Sequence, residues 1–238
     1  VSKVPSTVEF DFLEFCVRED LNERATRVMG VLDPIKLTIE NYPEDMTETF
    51  IVDNHPQYPD QGSHEISFSR HLWIERDDFM EEPARKYFRL YPGNEVRLRA
   101  AYIVRCTACK KDEDGNITEV LAEYIPESKG GVAPDGQKVK GTIHWVNRKD
   151  CLNAEVHLYD KLFNVEDPDS EGAEYKDLIN SESLIVVPEA KLESAIQELE
   201  SPAGFQFMRL GYFKEDSKLS TPDKPVFNRV VTLRDTYK

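Results

Sequence analysis

The sequence has few cysteines and histidines, and it contains no long apolar run. Its 238 residues include four cysteines and five histidines, which is sparse for the disulfide framework of a secreted protein. No stretch of about 18 apolar residues occurs, so no segment is predicted to cross a membrane as a helix. The first residues also lack the basic and then apolar order of a signal peptide. We therefore expect a soluble, cytoplasmic protein with reduced thiols and no membrane contact.

Motifs that bind nucleotides or activate a nucleophile are missing as well. The chain has no G-x(4)-G-K-[ST] loop, no Rossmann glycine series and no serine or cysteine nucleophile motif. One C-x-x-C pair, Cys106 and Cys109, could suggest zinc or redox chemistry, but no second ligand pair follows at a suitable spacing. The stretch AYIVRCTAC around this pair has the pattern of a strand. We interpret the pair as ordinary strand cysteines and predict no metal site and no catalytic residue in this chain.

Positive charge is scarce, and it is concentrated in one segment. The formal net charge is -15. Residues 85–111 nevertheless hold eight Lys or Arg residues against the single acid Glu95, a local balance of +7. Residues 150–204 hold fourteen acids against three lysines, a balance of -11. Charge is therefore segregated along the chain, and residues 85–111, called the basic segment below, are the first candidate for an anionic ligand.

The hydrophobic pattern begins with one predicted helix. Residues 6–22 have the helical period, and Ser6 with Glu9 three residues later forms a capping box. The apolar face of this helix consists of Leu13, Cys16, Val17 and Leu21. Because one helix cannot cover its own apolar face, we expect it to be the end of a larger helical unit.

From Val28 onward, apolar and polar residues alternate in many short runs that predict strands. Turn sequences around Gly115 and Gly136 separate several of them. One later stretch, residues 188–200, is predicted as a helix from the spacing of its apolar residues. These apolar residues are Leu192, Ala195, Ile196 and Leu199.

Many short strands at this spacing favour barrels or sandwiches over a parallel sheet. The predicted fold is mainly β: two consecutive antiparallel β-barrels, preceded by a short helical connector. We place the connector at residues 1–27, the first barrel at 28–130 and the second at 131–238, with the possibility that strands are exchanged between barrels.

Two arginines of the basic segment are predicted to share one strand face. In EVRLRAAYIV, alternation directs Val96, Leu98 and Ala100 to the core and leaves Arg97 and Arg99 on the other face. They would then stand about 6.6 Å apart, since a strand rises about 3.3 Å per residue. This separation is close to the spacing of nucleotides on a single strand.

The turn RLYPGN is predicted to bring Arg89, Tyr87 and Phe88 into the same neighbourhood. Arginines beside aromatic rings suit unpaired RNA bases, because the guanidinium can hydrogen-bond a base edge while a ring stacks on its face. The alternative is a solvated strand face whose charges are paired with acids elsewhere in the chain. Charge alone leaves both interpretations open.

Eight segments in order along nearly the whole chain resemble the C-terminal part of glutaminyl-tRNA synthetases. They are CVREDLNERATRVMGVLDPIKLTIENYP, NHP, FSRHLWIERDDFMEE, GNEVRLRAAYIV, VKGTIHWV, LYDKLF, FQFMRLGYF and KPVFNRVVTLRDT. The resemblance implies the end of a helical connector followed by two anticodon-binding barrels, of a type also found in a ribosomal protein that binds 5S rRNA. It places the catalytic domain upstream of Val1.

The resemblance also assigns residues to the three anticodon bases. Arg27 falls at the arginine that reads the central U, and Gln206 at the glutamine that shares this pocket. Asn22 falls at another anticodon-contact position, and Arg209 matches a neighbouring arginine. Arg89 falls at the position that reads the third-base G, and Arg97 and Arg99 fall at the pocket of the first base. The complete set of predicted RNA-binding residues is Asn22, Arg27, Arg85, Lys86, Arg89, Arg97, Arg99, Gln206 and Arg209.

Some positions depart from the better-known bacterial pattern. Lys86 stands where a glutamine is often found, Phe88 where a lysine is, Met208 where a glutamate is, and Gln57 where an asparagine is. These differences bear on the readout of the second and third bases.

The resemblance implies binding of the CUG or UUG anticodon stem-loop of tRNA(Gln). We expect the fragment to be monomeric and inactive alone, without a cofactor of its own. ATP and Mg²⁺ would serve the catalytic domain of the same polypeptide. Two alternatives are a related glutamyl-tRNA synthetase and a structural RNA-binding barrel of the 5S rRNA-binding type.

Overall fold

The computed structural model describes residues 9–134, 136 and 138–234. In this part of the chain strands predominate, which confirms the mainly β prediction. The strands, in chain order, are β1 Thr26–Val28, β2 Gly30–Val31, β3 Pro34–Ile39, β4 Thr47–Asp53, β5 Ser63–Ser69, β6 His71–Glu75, β7 Glu95–Leu98, β8 Ile103–Lys111, β9 Ile117–Tyr124, β10 Gly141–Ile143, β11 Val146–Asn147, β12 Leu152–Tyr159, β13 Leu184–Leu192, β14 Phe205–Phe207, β15 Gly211–Glu215 and β16 Val226–Val231.

Helical structure is limited. The helices are α1 Phe10–Arg24 and the single turn α2 Tyr175–Leu178, with short 3-10 turns at Pro59–Gln61, Arg76–Asp78, Pro126–Ser128 and Ser194–Gln197. None of the described helices is long and apolar enough to cross a membrane.

The chain divides into two compact units that are interleaved in sequence. The larger unit contains Arg27–Asn153 and Glu189–Glu200. The smaller unit contains three stretches: the described residues up to Thr26, Ala154–Pro188, and the described residues from Ser201 onward. Residues 131–153 therefore pack with the predicted first barrel. The predicted domain limits at residues 27 and 130 stay a prediction.

The larger unit is built around one seven-stranded sheet. Its strand order is β10-β7-β8-β9-β3-β6-β11, and a separate ladder joins β4 to β5. Alternation along β3 buries Ile35, Leu37 and Ile39, as the sequence predicts. Two neighbouring pairs, β10 with β7 and β3 with β9, run parallel, so the sheet is mixed rather than purely antiparallel. Trp145 and Phe68 are fully buried and pack edge to face in the core.

The helix predicted for residues 188–200 is reduced to the single 3-10 turn Ser194–Gln197, and the residues before it form a strand. Strand β13 continues to Leu192, and its end pairs with β2, Lys191 opposite Val31 and Leu192 opposite Gly30. Alternation buries Ala190 and Leu192. The partner strand lies about 160 residues earlier in the sequence, so this nonlocal pairing decides between two patterns that the local sequence allows.

The smaller unit places α1 against a sheet of order β14-β15-β16-β12-β13. Leu21 and Ala25 of α1 pack with Tyr212 and Val231, and Val17 is partly buried against them. Strands β12 and β16 run parallel.

The apolar face predicted for α1 is only half correct. Leu13 and Cys16 are exposed. Arg18 is buried instead and donates its Nε hydrogen to the carbonyl of Thr232 at 2.8 Å. The helix begins at Phe10 with Glu9 as its N-cap residue. The predicted capping residue Ser6 lies outside the described residues.

Candidate nucleic-acid interface

A groove in the larger unit combines cationic and aromatic side chains. Its volume is about 680 Å³. The lining includes three lysines, one arginine and three aromatic rings, with two further polar groups: Lys86, Lys138, Lys140, Arg105, Tyr87, Phe88, Tyr91, Asn94 and Glu95. Such a lining can attract a phosphate backbone and offer faces on which bases stack.

Phe88 presents its ring to solvent at the groove. The ring is 50% exposed, and Lys140 Nζ lies 5.0 Å from its centroid. The adjacent Gly141 approaches the Phe88 carbonyl so closely that a Cβ atom there would lie 2.0 Å from its oxygen. This contact requires glycine and holds β10 against the turn that carries Phe88.

Arg89 is held by a buried carboxylate. Its Nη1 lies 3.1 Å from Asp78 Oδ1 and donates to the Asp77 carbonyl at 3.1 Å. Asp78 is fully buried, whereas the Arg89 side chain is 42% exposed. Tyr87 donates its hydroxyl hydrogen to the same Asp77 carbonyl. A guanidinium has five donors in a planar fork, so these contacts orient Arg89 and leave donors for a ligand.

Arg97 extends along β7 toward a glycine turn. Its Nε donates to the carbonyl of Gly131, and its Nη1 donates to Thr142 Oγ1 at 3.3 Å. A Cβ atom at Gly131 would lie 2.5 Å from Arg97 Cδ. The turn therefore fixes the course of the arginine side chain.

Arg99 lies beyond the end of β7, so the predicted strand through Ala100 is wrong. Ala100 has a φ of 61° and turns the chain, because left-handed backbone cannot continue a strand. The Arg99 amide donates to Ile143, and the Arg99 carbonyl accepts from Trp145 Nε1 at 2.9 Å. Burial lowers the pKa of Arg99 below its usual value, and the charge of Glu193 opposes that shift. Arg97 and Arg99 do not share one strand face.

The basic segment contains both paired and unpaired cations. Four of its cations contact carboxylates: Arg89, Arg105, Lys110 and Lys111. Arg85 and Lys86 are exposed, and neither has an ion pair with any residue of the described ranges. Lys86 has a φ of 69°, which places it at a sharp bend. The solvated, paired alternative therefore describes only part of the segment.

Three predicted residues belong to the smaller unit. Gln206 on β14 lies directly opposite Tyr212 on β15, and cross-strand neighbours share one face of a sheet. The Tyr212 hydroxyl donates to Asn22 Oδ1 at 3.1 Å. Tyr212 thus contacts Asn22 and is the cross-strand neighbour of Gln206. Arg209 is exposed in the hairpin turn between the two strands, with a φ of 70°.

Arg27 belongs to the larger unit and differs from the other predicted residues in its burial. Only 6% of its surface is exposed. Its amide donates to the carbonyl of Asn54 at 2.8 Å. Any base contact by this arginine would be made by a side chain that is already held in place.

Sequence reasoning missed the contribution of residues beyond the glycine-rich turn. Lys138 and Lys140 line the groove although residues 131–238 were predicted to form a separate barrel. The alternation in KVKG could have indicated two lysines on one side of an extended chain. Their position depends on the parallel pairing of β10 with β7, which has no local signal.

The C-x-x-C pair lies on β8, as predicted. Cys106 is buried, and burial raises the pKa of its thiol to about 12. The thiol therefore stays protonated at neutral pH and is a poor nucleophile. Within the described ranges, no group of three or more His, Cys, Asp or Glu residues could hold a metal ion.

Comparison with known proteins gives two family matches along the chain. Residues 25–125 match the family described as tRNA synthetases class I (E and Q), anti-codon binding domain, and residues 142–216 match a second family with the same description. The first match contains the whole basic segment. The second match begins at Thr142, the hydroxyl partner of Arg97.

Curated relatives are similar over the full length of the chain. The glutamine–tRNA ligases of Bordetella avium, Tolumonas auensis and Clostridium kluyveri are 50%, 48% and 45% identical over 238, 237 and 240 residues. Each comparison covers 100% of this chain but only 40%, 43% and 43% of the relative. The chain thus spans less than half the length of these proteins. Its sequence, fold and family matches place it in the family of class I (E and Q) tRNA synthetase anticodon-binding domains.

Proposed function

We propose that the chain recognises the anticodon loop of tRNA(Gln). The observation that carries this proposal is the groove of the larger unit, where three lysines and an exposed phenylalanine ring lie together. Lysines beside a stacking surface fit a single-stranded loop better than a duplex, because loop bases can be splayed onto aromatic rings. The similarity to glutamine–tRNA ligases supports glutamine as the amino acid of the cognate tRNA.

In this proposal the third base is read by Arg89. Guanine offers the O6 and N7 acceptors, which match the two-pronged donor pattern of a guanidinium. The buried Asp78 fixes the direction of that guanidinium before the RNA arrives, which reduces the entropy lost on binding. Arg85 and Lys86, which are exposed at the neighbouring bend, contact the phosphate backbone.

The first and second bases are assigned to the remaining residues. Arg97 and Arg99 contact the first base. Arg27 supplies donors, and Gln206 a donor and an acceptor, of the kinds that the edge of a central uracil requires. Asn22 and Arg209 are assigned to further contacts with the anticodon.

The whole protein in this proposal is a glutamine–tRNA ligase. Its catalytic domain, in the same polypeptide, would use ATP and Mg²⁺ to join glutamine to the captured tRNA. We expect a cytoplasmic monomer, in which the present chain supplies recognition and no chemistry.

A titration at fixed salt tests the proposal. Stem-loops with CUG and UUG anticodons should bind more tightly than the same loops with the central U replaced. One lost base pocket is worth about 1–3 kcal/mol, or about 5–150-fold in affinity. Equal affinities for all loops would contradict anticodon recognition.

Two further RNAs separate the alternatives. A loop with C at the third position carries a glutamate anticodon, and its tighter binding would indicate a glutamyl-type synthetase. Tighter binding of a 5S rRNA fragment than of either loop would indicate a structural RNA-binding barrel.

A further inference from the structure

A buried carboxylate, that of Glu193, lies next to the strand that carries Arg27 in the larger unit. Glu193 is 6% exposed, and the pairing of β13 with β2 carries it there from the acidic part of the sequence. Its Oε2 accepts the amide hydrogen of Met29 at 2.9 Å, and its own amide donates to the Met29 carbonyl at 3.2 Å. The carboxylate is therefore fixed to the chain two residues after Arg27.

A histidine continues this network to the backbone of Arg27. His64 Nε2 lies 2.7 Å from Glu193 Oε1, and its Nδ1 lies 2.6 Å from Asn54 Oδ1. The Asn54 carbonyl accepts the amide hydrogen of Arg27 at 2.8 Å. Glu193, His64 and Asn54 thus form a continuous polar chain, most of it buried, that holds strand β1 in place.

The same carboxylate acts on Arg99. Its negative charge favours the charged guanidinium of Arg99, which burial disfavours. The Arg99 backbone is fixed independently by Ile143 and Trp145. These two backbone contacts therefore position Arg99, whereas Glu193 contacts the chain beside Arg27.

Stability alone gives a weak reason for a carboxylate at this position. Removing a carboxylate from water is costly, and well-packed apolar residues often stabilise a core equally well. A buried network of close polar contacts does, however, impose one geometry on the groups that it joins.

We propose that Glu193 is a positioning residue for base recognition. Through its contacts with Met29 and His64 it sets the placement of β1, the strand that carries Arg27, and so the position of the reader of the second anticodon base. The inference rests on the proposed function, and it adds a specificity determinant that contacts no RNA.

The variant Glu193→Gln tests this role, because it keeps the shape and removes the charge. Its matched control is Glu189→Gln on the same strand, whose carboxylate is 80% exposed. Each variant is titrated with the CUG loop and with loops altered at the first, second or third base. We expect Glu193→Gln to lower second-base discrimination about tenfold, to leave third-base discrimination by Arg89 unchanged, and Glu189→Gln to match the wild type.

Other patterns overturn the inference. A uniform loss of affinity for all loops, or unchanged discrimination, would make Glu193 merely structural. If Glu193→Gln does not fold, His64→Gln provides the same comparison, because it breaks the link between Glu193 and Asn54. For this variant too, a uniform loss of affinity or unchanged discrimination would count against the proposal. A wild-type chain that discriminates no loop would instead overturn the proposed function, and this inference with it.

Discussion

The two ends of the basic segment carry similar charge but present it differently. At residues 105–111, Arg105 lies directly opposite Glu95 and Lys110 directly opposite Glu119, and each pair forms an ion pair. At residues 85–99, the cations lie on turns or at a strand end. Among them Arg97 on β7 faces Ile103 across the ladder.

This difference shows how strand register decides whether a charge is available to a ligand. A regular antiparallel ladder sets opposite side chains about 5 Å apart, so an acid on one strand neutralises a base on the next. A turn has no facing strand, and Arg89 is held instead by the buried Asp78, which lies outside any strand. On β7, Arg97 faces the apolar Ile103 and is directed by the close approach of Gly131. A charge count along the sequence cannot separate these two situations.

The largest expected effect is the loss of Arg89. Arg89→Ala should remove about 1–3 kcal/mol of preference for G at the third anticodon base, because the oriented donor fork is lost. The control Lys110→Ala, from the paired end and outside the groove, should leave base preference unchanged. Titration with loops that differ only at the third base measures both. If Arg89→Ala weakens the binding of all loops equally, Arg89 contacts phosphate rather than a base. The two ends of the basic segment would then not differ in base recognition.

A smaller effect is expected at the glycine turn under Arg97. Gly130 and Gly131 have φ values of 80° and 79°, so alanine at either position costs about 1 kcal/mol of folding free energy. Only at Gly131 would the new Cβ collide with Arg97, whereas no atom lies within 4 Å at Gly130. Gly131→Ala should therefore lose about 1 kcal/mol of first-base preference, and Gly130→Ala should lose none. Thermal unfolding and loop titration separate the two effects.

Local alternation predicts much of the fold and fails at identifiable places. It finds β3, β8, β9 and β12 because each buries one face against the core. It extends β7 through Ala100, since nothing in a period-2 pattern signals a left-handed alanine. It also predicts a helix where β13 ends, because the pairing of β13 with the distant strand β2 leaves no signal in the local sequence.

The candidate interface is partly predictable for the same reason. The arginines of the basic segment are evident from charge, and the resemblance assigns them to bases; those assignments stay predictions. Lys138 and Lys140 reach the groove only through the parallel pairing of β10 with β7. Glu193 reaches Met29 through an equally distant strand pair. Nonlocal pairing thus supplies the parts of the interface that local patterns omit.

Lysines that line the groove and lysines that are paired with acids should differ in their effect on the salt dependence of RNA binding. The double variant Lys138→Gln/Lys140→Gln removes groove cations, so it should weaken loop binding a few-fold and reduce the salt slope by about 1.4, at about 0.7 per phosphate contact. The double variant Lys110→Gln/Lys111→Gln removes cations already paired with Glu119 and Glu81, so the slope should stay near the wild-type value. Equal salt slopes for the two double variants would contradict the distinction between groove lysines and paired lysines.

The smallest expected effect concerns the stability of the paired end. Burial raises the pKa of the Glu119 carboxyl, but hydrogen bonds from Lys110 and Thr38 outweigh it and leave this pKa below its usual value. A lowered folded pKa stabilises the protein above the ordinary value of about 4.3, and the contribution is lost as pH falls through the folded pKa. Glu119→Gln should therefore lower the free energy of unfolding by about 1 kcal/mol near neutral pH, with a difference that shrinks as the pH falls below about 4.3. Urea denaturation across this range measures it, with the exposed Glu113→Gln as control. A difference that does not change with pH would show that the Lys110–Glu119 pair contributes packing rather than charge.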